Sequence, residues 1–105
     1  MANKSDLQTI LARHIGREKG ISAQLLAALL DVEVRNVRKL VSGLREDGVA
    51  VCGHPTTGYY IAATPEELEE TLGFLRSRAM HSLVLESRLR NLPLVELLGQ
   101  LRIGS

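Results

Sequence analysis

Leu, Ile and Val recur at three- and four-residue spacing along most of this chain, and the breaks in that rhythm mark its elements. Leu7, Ile10, Leu11, His14 and Ile15 share one face of a first helix that Ser5 or Asp6 can cap, with Gly16 and Gly20 bracketing its end. Ile21 and Ser22, an apolar residue ahead of a capping hydroxyl, open a second helix expected from Ala23 to about Leu30. Its Leu25, Leu26, Leu29 and Leu30 exceed a narrow stripe, so core is expected on most of its sides. A third helix is expected over about Val34 to Asp47, with Val37, Leu40, Val41 and Leu44 turned inward and Gly48 stopping it. Val49 and Val51 then alternate with Ala50 and Cys52, and Tyr60 to Ala62 resume extended character beyond a turn holding Pro55 and Gly58. From Pro65, with Thr64 as cap, a long helix is expected to about Asn91. Leu68, Leu72, Leu75, Ala79 and Leu83 form one seam on it, and Phe74, Met80, Leu85, Leu89 and Leu92 spread onto a second. Pro93 closes it, and Leu94 to Ile103 form one further amphipathic helix.

The junction Leu30-Asp31-Val32-Glu33 between the second and third helices is the informative one. A tight turn here needs a left-handed first residue, usually Gly, and a last residue that caps the next helix, usually Ser or Thr. Asp31 tolerates the left-handed region better than most side chains, and Glu33 is a weaker cap. Val32 supplies the buried residue of the turn. Helix, turn, helix and hairpin in that order define a fold that is mainly α with a small β-hairpin: a winged helix-turn-helix followed by a C-terminal helical extension. The expected organisation is a DNA-binding domain over residues 1–64, with the recognition helix at about 34–47 and the wing at about 49–62, then a helical extension over 65–105.

Composition narrows this further. At 105 residues the chain can bury one modest core and an appendage, and 45% hydrophobic with 24% charged residues is the balance of a folded soluble protein. One cysteine, Cys52, excludes an internal disulfide framework and a Cys-cluster zinc site, which fits a reducing cytoplasm. The first sixteen residues lack an apolar core of signal-peptide length, and no stretch approaches a membrane span, so a cytoplasmic protein without membrane contact is expected. Net charge is only +1, but residues 1–64 carry eight Lys/Arg against six Asp/Glu and the remainder five against six. The acidic run PEELEE at 65–70 suits the first turns of a helix, where the macrodipole favours carboxylates. His14, His54, His81 and Cys52 lack the close spacing of metal ligands, and no nucleophile elbow, Walker or dinucleotide fingerprint occurs, so neither catalysis nor a cofactor is expected.

Residues Ile21 to Ile61 resemble the N-terminal winged-helix domain of the bifunctional biotin-ligase repressors, and the wider set of bacterial and phage helix-turn-helix regulators built the same way. LVSGLREDGVAV, where helix, charged turn and strand succeed one another, and HPTTGYYI, where Pro and Gly precede an aromatic on the returning strand, carry the likeness. It implies the fold and DNA contact, and does not carry over biotin sensing or an operator.

On the third helix the inward stripe leaves Val34, Arg35, Asn36, Arg38, Lys39 and Ser42 as the segment for the major groove. Arg pairs bidentately with guanine and Asn with adenine, each good contact giving about 1–3 kcal/mol of discrimination. Arg35, Asn36 and Lys39 are the first candidates for base edges, and Arg38 suits a base or a phosphate. The alternative is a solvated helix face. His54, Thr56 and Thr57 at the wing tip suit phosphate or sugar contact, or form an ordinary turn. Ser22 and Gln24 at the start of the second helix can hold a phosphate, although Ser22 is sufficiently explained as a cap. Beyond Pro65 the leucines outnumber what one helix face can bury, which favours a homodimer through Leu72, Leu75, Met80, Leu83, Leu85 and Leu89, with intrachain packing as the alternative. The sequence therefore predicts a transcriptional regulator of bacterial or phage type that binds double-stranded DNA. The rival is an adaptor for a protein partner in replication, recombination or phage counter-defence, for which the near-neutral charge, Asp31 and Glu33 speak.

Overall fold

The structure, a computed structural model, describes residues 2–101 and is mainly helical with one small antiparallel hairpin. The elements are α1 (Lys4–Leu11), a 3-10 turn (Arg17–Lys19), α2 (Ala23–Leu30), α3 (Val34–Glu46), β1 (Val51–His54), β2 (Gly58–Ile61), α4 (Pro65–Leu89) and α5 (Leu94–Leu101). The chain divides into two compact units between Thr71 and Leu72. That division lies beyond residue 64 because the first turns of α4 are tied to what precedes them. Glu67 accepts hydrogen bonds from the Arg17 N–H (3.0 Å) and the Ala63 N–H (2.8 Å), and Glu70 pairs with the Arg17 guanidinium.

In the first unit α1, α2 and α3 enclose a core of Leu7, Leu11, Ile21, Leu26, Ala27, Val37, Val41, Leu44 and Val51. α1 is capped by Asn3 rather than by Ser5 or Asp6. The Asn3 side chain accepts the Asp6 N–H at 3.0 Å and the Asp6 carboxylate accepts the Asn3 N–H at 2.9 Å, a reciprocal box that satisfies two otherwise free donors. The helix stops at Leu11, short of the apolar stripe, and Ile15 is half exposed. Ser22 caps α2 as expected, accepting the Leu25 N–H at 3.1 Å. The expectation that core surrounds α2 fails: Leu26 and Ala27 are buried, but Leu25 and Leu29 are 52% and 58% exposed.

Three helix ends share one device. α2, α3 and α4 each finish in a left-handed residue, Asp31 (φ 55°), Gly48 (φ 85°) and Asn91 (φ 54°). The following residue, Val32, Val49 or Leu92, returns its N–H to the carbonyl five positions back, on Ala27, Leu44 and Ser87 respectively. Asp31 thus fills the role usually given to Gly.

The hairpin pairs Val51 with Ile61, Cys52 with Tyr60, Gly53 with Tyr59 and His54 with Gly58. Its simple alternation of buried and open positions does not hold, since Val51 and Cys52 are both buried. Val51 belongs to the helical core, whereas the Cys52 thiol lies 3.6 Å from the Glu67 carbonyl at the start of α4. β2 is also covered on its second edge. The Ile21 N–H donates to the Tyr59 carbonyl and the Tyr59 N–H to Ile21 (2.8 and 2.7 Å), while the Gly16 N–H donates to Ile61 and the Ile61 N–H to His14 (both 2.8 Å). The 3-10 turn, framed by Gly16 and Gly20, makes this double pairing possible, and the His14 Nδ1–H braces it by donating to the Lys19 carbonyl at 2.7 Å.

Glu67 couples this arrangement to pH. The donated N–H groups of Arg17 and Ala63 hold its carboxyl below the ordinary glutamate value. A depressed carboxyl contributes stability above its unfolded value and loses it as pH falls through the folded one. Glu67→Gln is therefore expected to flatten the loss of thermal stability below about pH 4. A melting series over that range checks it, and an unchanged acid limb contradicts the pairing.

In the second unit the remainder of α4 and α5 are joined through Asn91 and Pro93. Ser87 and Leu97 are buried, and the Ser87 hydroxyl donates to the Val84 carbonyl at 2.7 Å. The expected end of the last helix at Ile103 lies outside the described residues. No described helix is long and apolar enough to cross a membrane.

Candidate nucleic-acid interface

α3 is strongly two-sided. Val37, Val41 and Leu44 are buried, and Val34 and Leu40 pack half-buried against the same core. Arg35, Arg38, Lys39 and Ser42 are exposed, and at about 100° per residue they cluster within roughly a third of a turn on the opposite side. Two of the expected groove residues are placed otherwise. Val34 is a core contact, because its position continues the stripe of Val37 and Val41. Asn36 is half-buried about a quarter turn from Arg35, toward the side of Gly43, where the Lys4 side chain lies so close that a Cβ would meet its Cδ at 2.6 Å. Arg38, placed behind Asn36 by the sequence pattern, shares the open face instead.

Glu33 stands at the N-cap of α3 with extended backbone (φ −78°, ψ 155°) and makes no side-chain capping bond. Its carboxylate Oε2 meets Arg35 Nε at 3.0 Å, with both side chains largely exposed. Glu33→Ser is expected to raise stability by about 1 kcal/mol by capping a free N–H of the first turn. A denaturant midpoint at or below that of the native protein contradicts this.

Around α3, Ser22 and Gln24 are exposed at the start of α2, and the Ser22 hydroxyl keeps its proton for an outside acceptor while capping. At the hairpin tip His54 Nδ1 accepts the Thr56 N–H at 3.1 Å and lies 2.7 Å from the Thr56 hydroxyl, so these two expected contacts form one small cluster. Thr57 is a correction: its hydroxyl oxygen is enclosed, whereas the neighbouring Thr56 is exposed. Sequence reasoning passed over Arg45. Its Nε donates to the Val51 carbonyl at 2.8 Å, fastening α3 to β1. The only signal was its position directly after the buried Leu44.

The residues expected to pair two copies spread over more than half of the circumference of α4: Leu72, Leu75 and Leu83 share one side, Leu89 and Leu85 follow beyond Leu75, and Met80 lies past Leu83 on the other flank. Leu83 is half-buried and the others are exposed, Leu89 by 86%. Among the described residues no three His, Cys, Asp or Glu side chains converge to hold a metal ion. Comparison with known proteins returned no match to a family model, a curated protein or a solved structure.

Proposed function

We propose that this protein is a cytoplasmic, sequence-specific regulator of bacterial or phage type that binds double-stranded DNA through a winged helix-turn-helix. α3 enters the major groove, Arg35, Arg38, Lys39 and Ser42 contact it, and Ser22, Gln24 and the hairpin tip lie along the phosphates. The observation that carries this reading is the outer face of α3: three cations and a hydroxyl, exposed on a helix whose other side is anchored in the core. The exposed leucines of α4 support a homodimer, which would set two copies of α3 on half-sites about one duplex turn apart.

Fluorescence anisotropy with duplexes enriched from a randomised library tests it. Binding is expected to weaken steeply between about 50 and 200 mM salt, as released counterions require. Light scattering is expected to return twice the 11.5 kDa chain mass. No duplex bound at the lowest salt refutes the reading.

A second reading, an adaptor for a protein partner, is favoured by one observation: Leu25 and Leu29 are exposed on α2, and Leu29 borders open clefts lined by Thr9 and Ile10 of α1. Pull-down of a protein by a chain that ignores DNA would favour it.

A further inference from the structure

Arg45 is the one lysine or arginine among the described residues that is not exposed. Residues 35, 38, 42 and 45 follow one another at three- and four-residue steps, so Arg45 carries the row of Arg35, Arg38 and Ser42 into the last turn of α3. There the row meets the hairpin. The Arg45 Nε–H donates to the Val51 carbonyl of β1 at 2.8 Å, a part-buried hydrogen bond that fixes one edge of the guanidinium. The other edge lies over the strand: a Cβ placed on Gly53 would stand 3.6 Å from Arg45 Nη2 and 3.1 Å from Tyr59 Cε1. The bare glycine leaves room for both side chains.

What the group lacks is a counter-charge. Among the described residues no carboxylate comes within ion-pair distance of Arg45, whereas Lys4, Arg17, Arg35 and Arg90 each have one. Holding a cation partly out of water beside a neutral carbonyl costs free energy that an anion would offset. A brace between helix and strand needs no charge, since the Val51 carbonyl uses only Nε. The four terminal N–H donors on Nη1 and Nη2 make no hydrogen bond among the described residues.

We propose that Arg45 is a phosphate-binding residue at the junction of α3 and the hairpin: the Val51 carbonyl sets its guanidinium, and a phosphodiester group of the duplex supplies the missing charge through Nη1 and Nη2. This rests on the DNA-binding reading above. Arginine grips phosphate oxygens with two parallel N–H bonds. About 15 Å of helix rise separates residues 35 and 45, enough to span a major groove about 12 Å wide and bring Arg45 to the flanking backbone when Arg35 lies over base edges. Such a contact conveys no sequence information; it fixes the register in which α3 and the hairpin sit on the duplex.

The test compares the full chain with Arg45→Gln, Arg45→Lys and, as a charge control, Arg76→Gln in the second unit. Each is checked by circular dichroism and melting, then titrated with enriched and random-sequence duplexes over a range of salt. The Gln amide nitrogen occupies the position of Nε, so Arg45→Gln keeps a donor for Val51 and removes the charged fork. It is expected to melt like wild type and to bind both duplexes roughly three- to tenfold more weakly at about 50 mM salt, with a salt slope shallower by about 0.9. Arg45→Lys, which keeps a charge and loses the Nε bond, is expected to melt lower yet retain most of the slope. Arg76→Gln is expected to match wild type in affinity and slope. Wild-type affinity and slope in Arg45→Gln, an equal loss of slope in Arg45→Lys, an equal loss of affinity in Arg76→Gln, or a loss confined to the enriched duplex overturns the inference while leaving the DNA-binding reading intact. Wild type that binds no duplex at low salt overturns both.

Discussion

Gly20→Ala is expected to cost about 3 kcal/mol of stability, the sum of overpacking and two weakened hydrogen bonds. A Cβ at residue 20 would stand 2.0 Å from the Thr57 carbonyl oxygen, and that oxygen belongs to backbone that cannot swing aside. To relieve the clash the 3-10 turn must part from the hairpin, which strains the paired Ile21 and Tyr59 bonds on the far edge of β2. Gly58 faces Ile21 across the same seam, with φ at 79° and a hypothetical Cβ 2.3 Å from the Ile21 oxygen, so both sides require glycine. Gly73 on α4 has nothing within 4 Å of an added Cβ, and there the same substitution is expected to stabilise by up to about 1 kcal/mol through helix propensity. Denaturant titrations of the two variants check the opposite signs. A Gly20→Ala midpoint indistinguishable from wild type contradicts the close approach.

The second large effect concerns α3. Replacing Arg35, Arg38 and Lys39 together by alanine is expected to lower duplex affinity at least about a hundredfold, since even modest base contacts are worth about 1–3 kcal/mol each. Folding should be preserved, because all three side chains are exposed and the core face of Val37, Val41 and Leu44 is untouched. The salt dependence should also become shallower by about 0.9 for every phosphate left without its protein cation. Replacing Arg76, Arg78 and Arg88 together by alanine removes three exposed cations from the second unit and serves as the control for net charge. Equal reductions in affinity for the two variants would mean that charge alone, not the face of α3, holds the duplex.

Elements whose signal is local were legible in the sequence. α2 and α3 begin and end within a residue of expectation, because Ser22, Asp31 and Gly48 act on backbone groups a few positions away. Thr64 and Pro65 start α4 for the same reason, the Thr64 hydroxyl accepting the Glu67 N–H at 3.2 Å. What stayed hidden depends on distant partners. The 3-10 turn exists because Ile15 and Ile21 both pair with β2, more than thirty residues on, and no periodicity within 16–20 announces that. Cys52 reads as the open side of a half-buried strand, yet the start of α4 covers it. Leu25 and Leu29 read as core because leucine is an apolar type, whereas the core beside α2 is filled by Leu26 and Ala27.

The candidate site was legible to the same extent. The open face of α3 follows from the spacing of its buried residues, which fixes Arg35, Arg38, Lys39 and Ser42 on the other side. The fates of single side chains required coordinates. The Thr57 hydroxyl is enclosed, Arg45 is held by the Val51 carbonyl, and Arg35 stands exposed at ion-pair distance from Glu33.

The most direct test is an amide chemical-shift map of the isotopically labelled chain titrated with an enriched duplex. The largest shifts are expected over residues 33–42, with smaller ones at 22–24 and at the hairpin tip 54–56. Shifts confined to the leucine-bearing face of α2 or to the second unit, or no shifts with any duplex, would contradict the account.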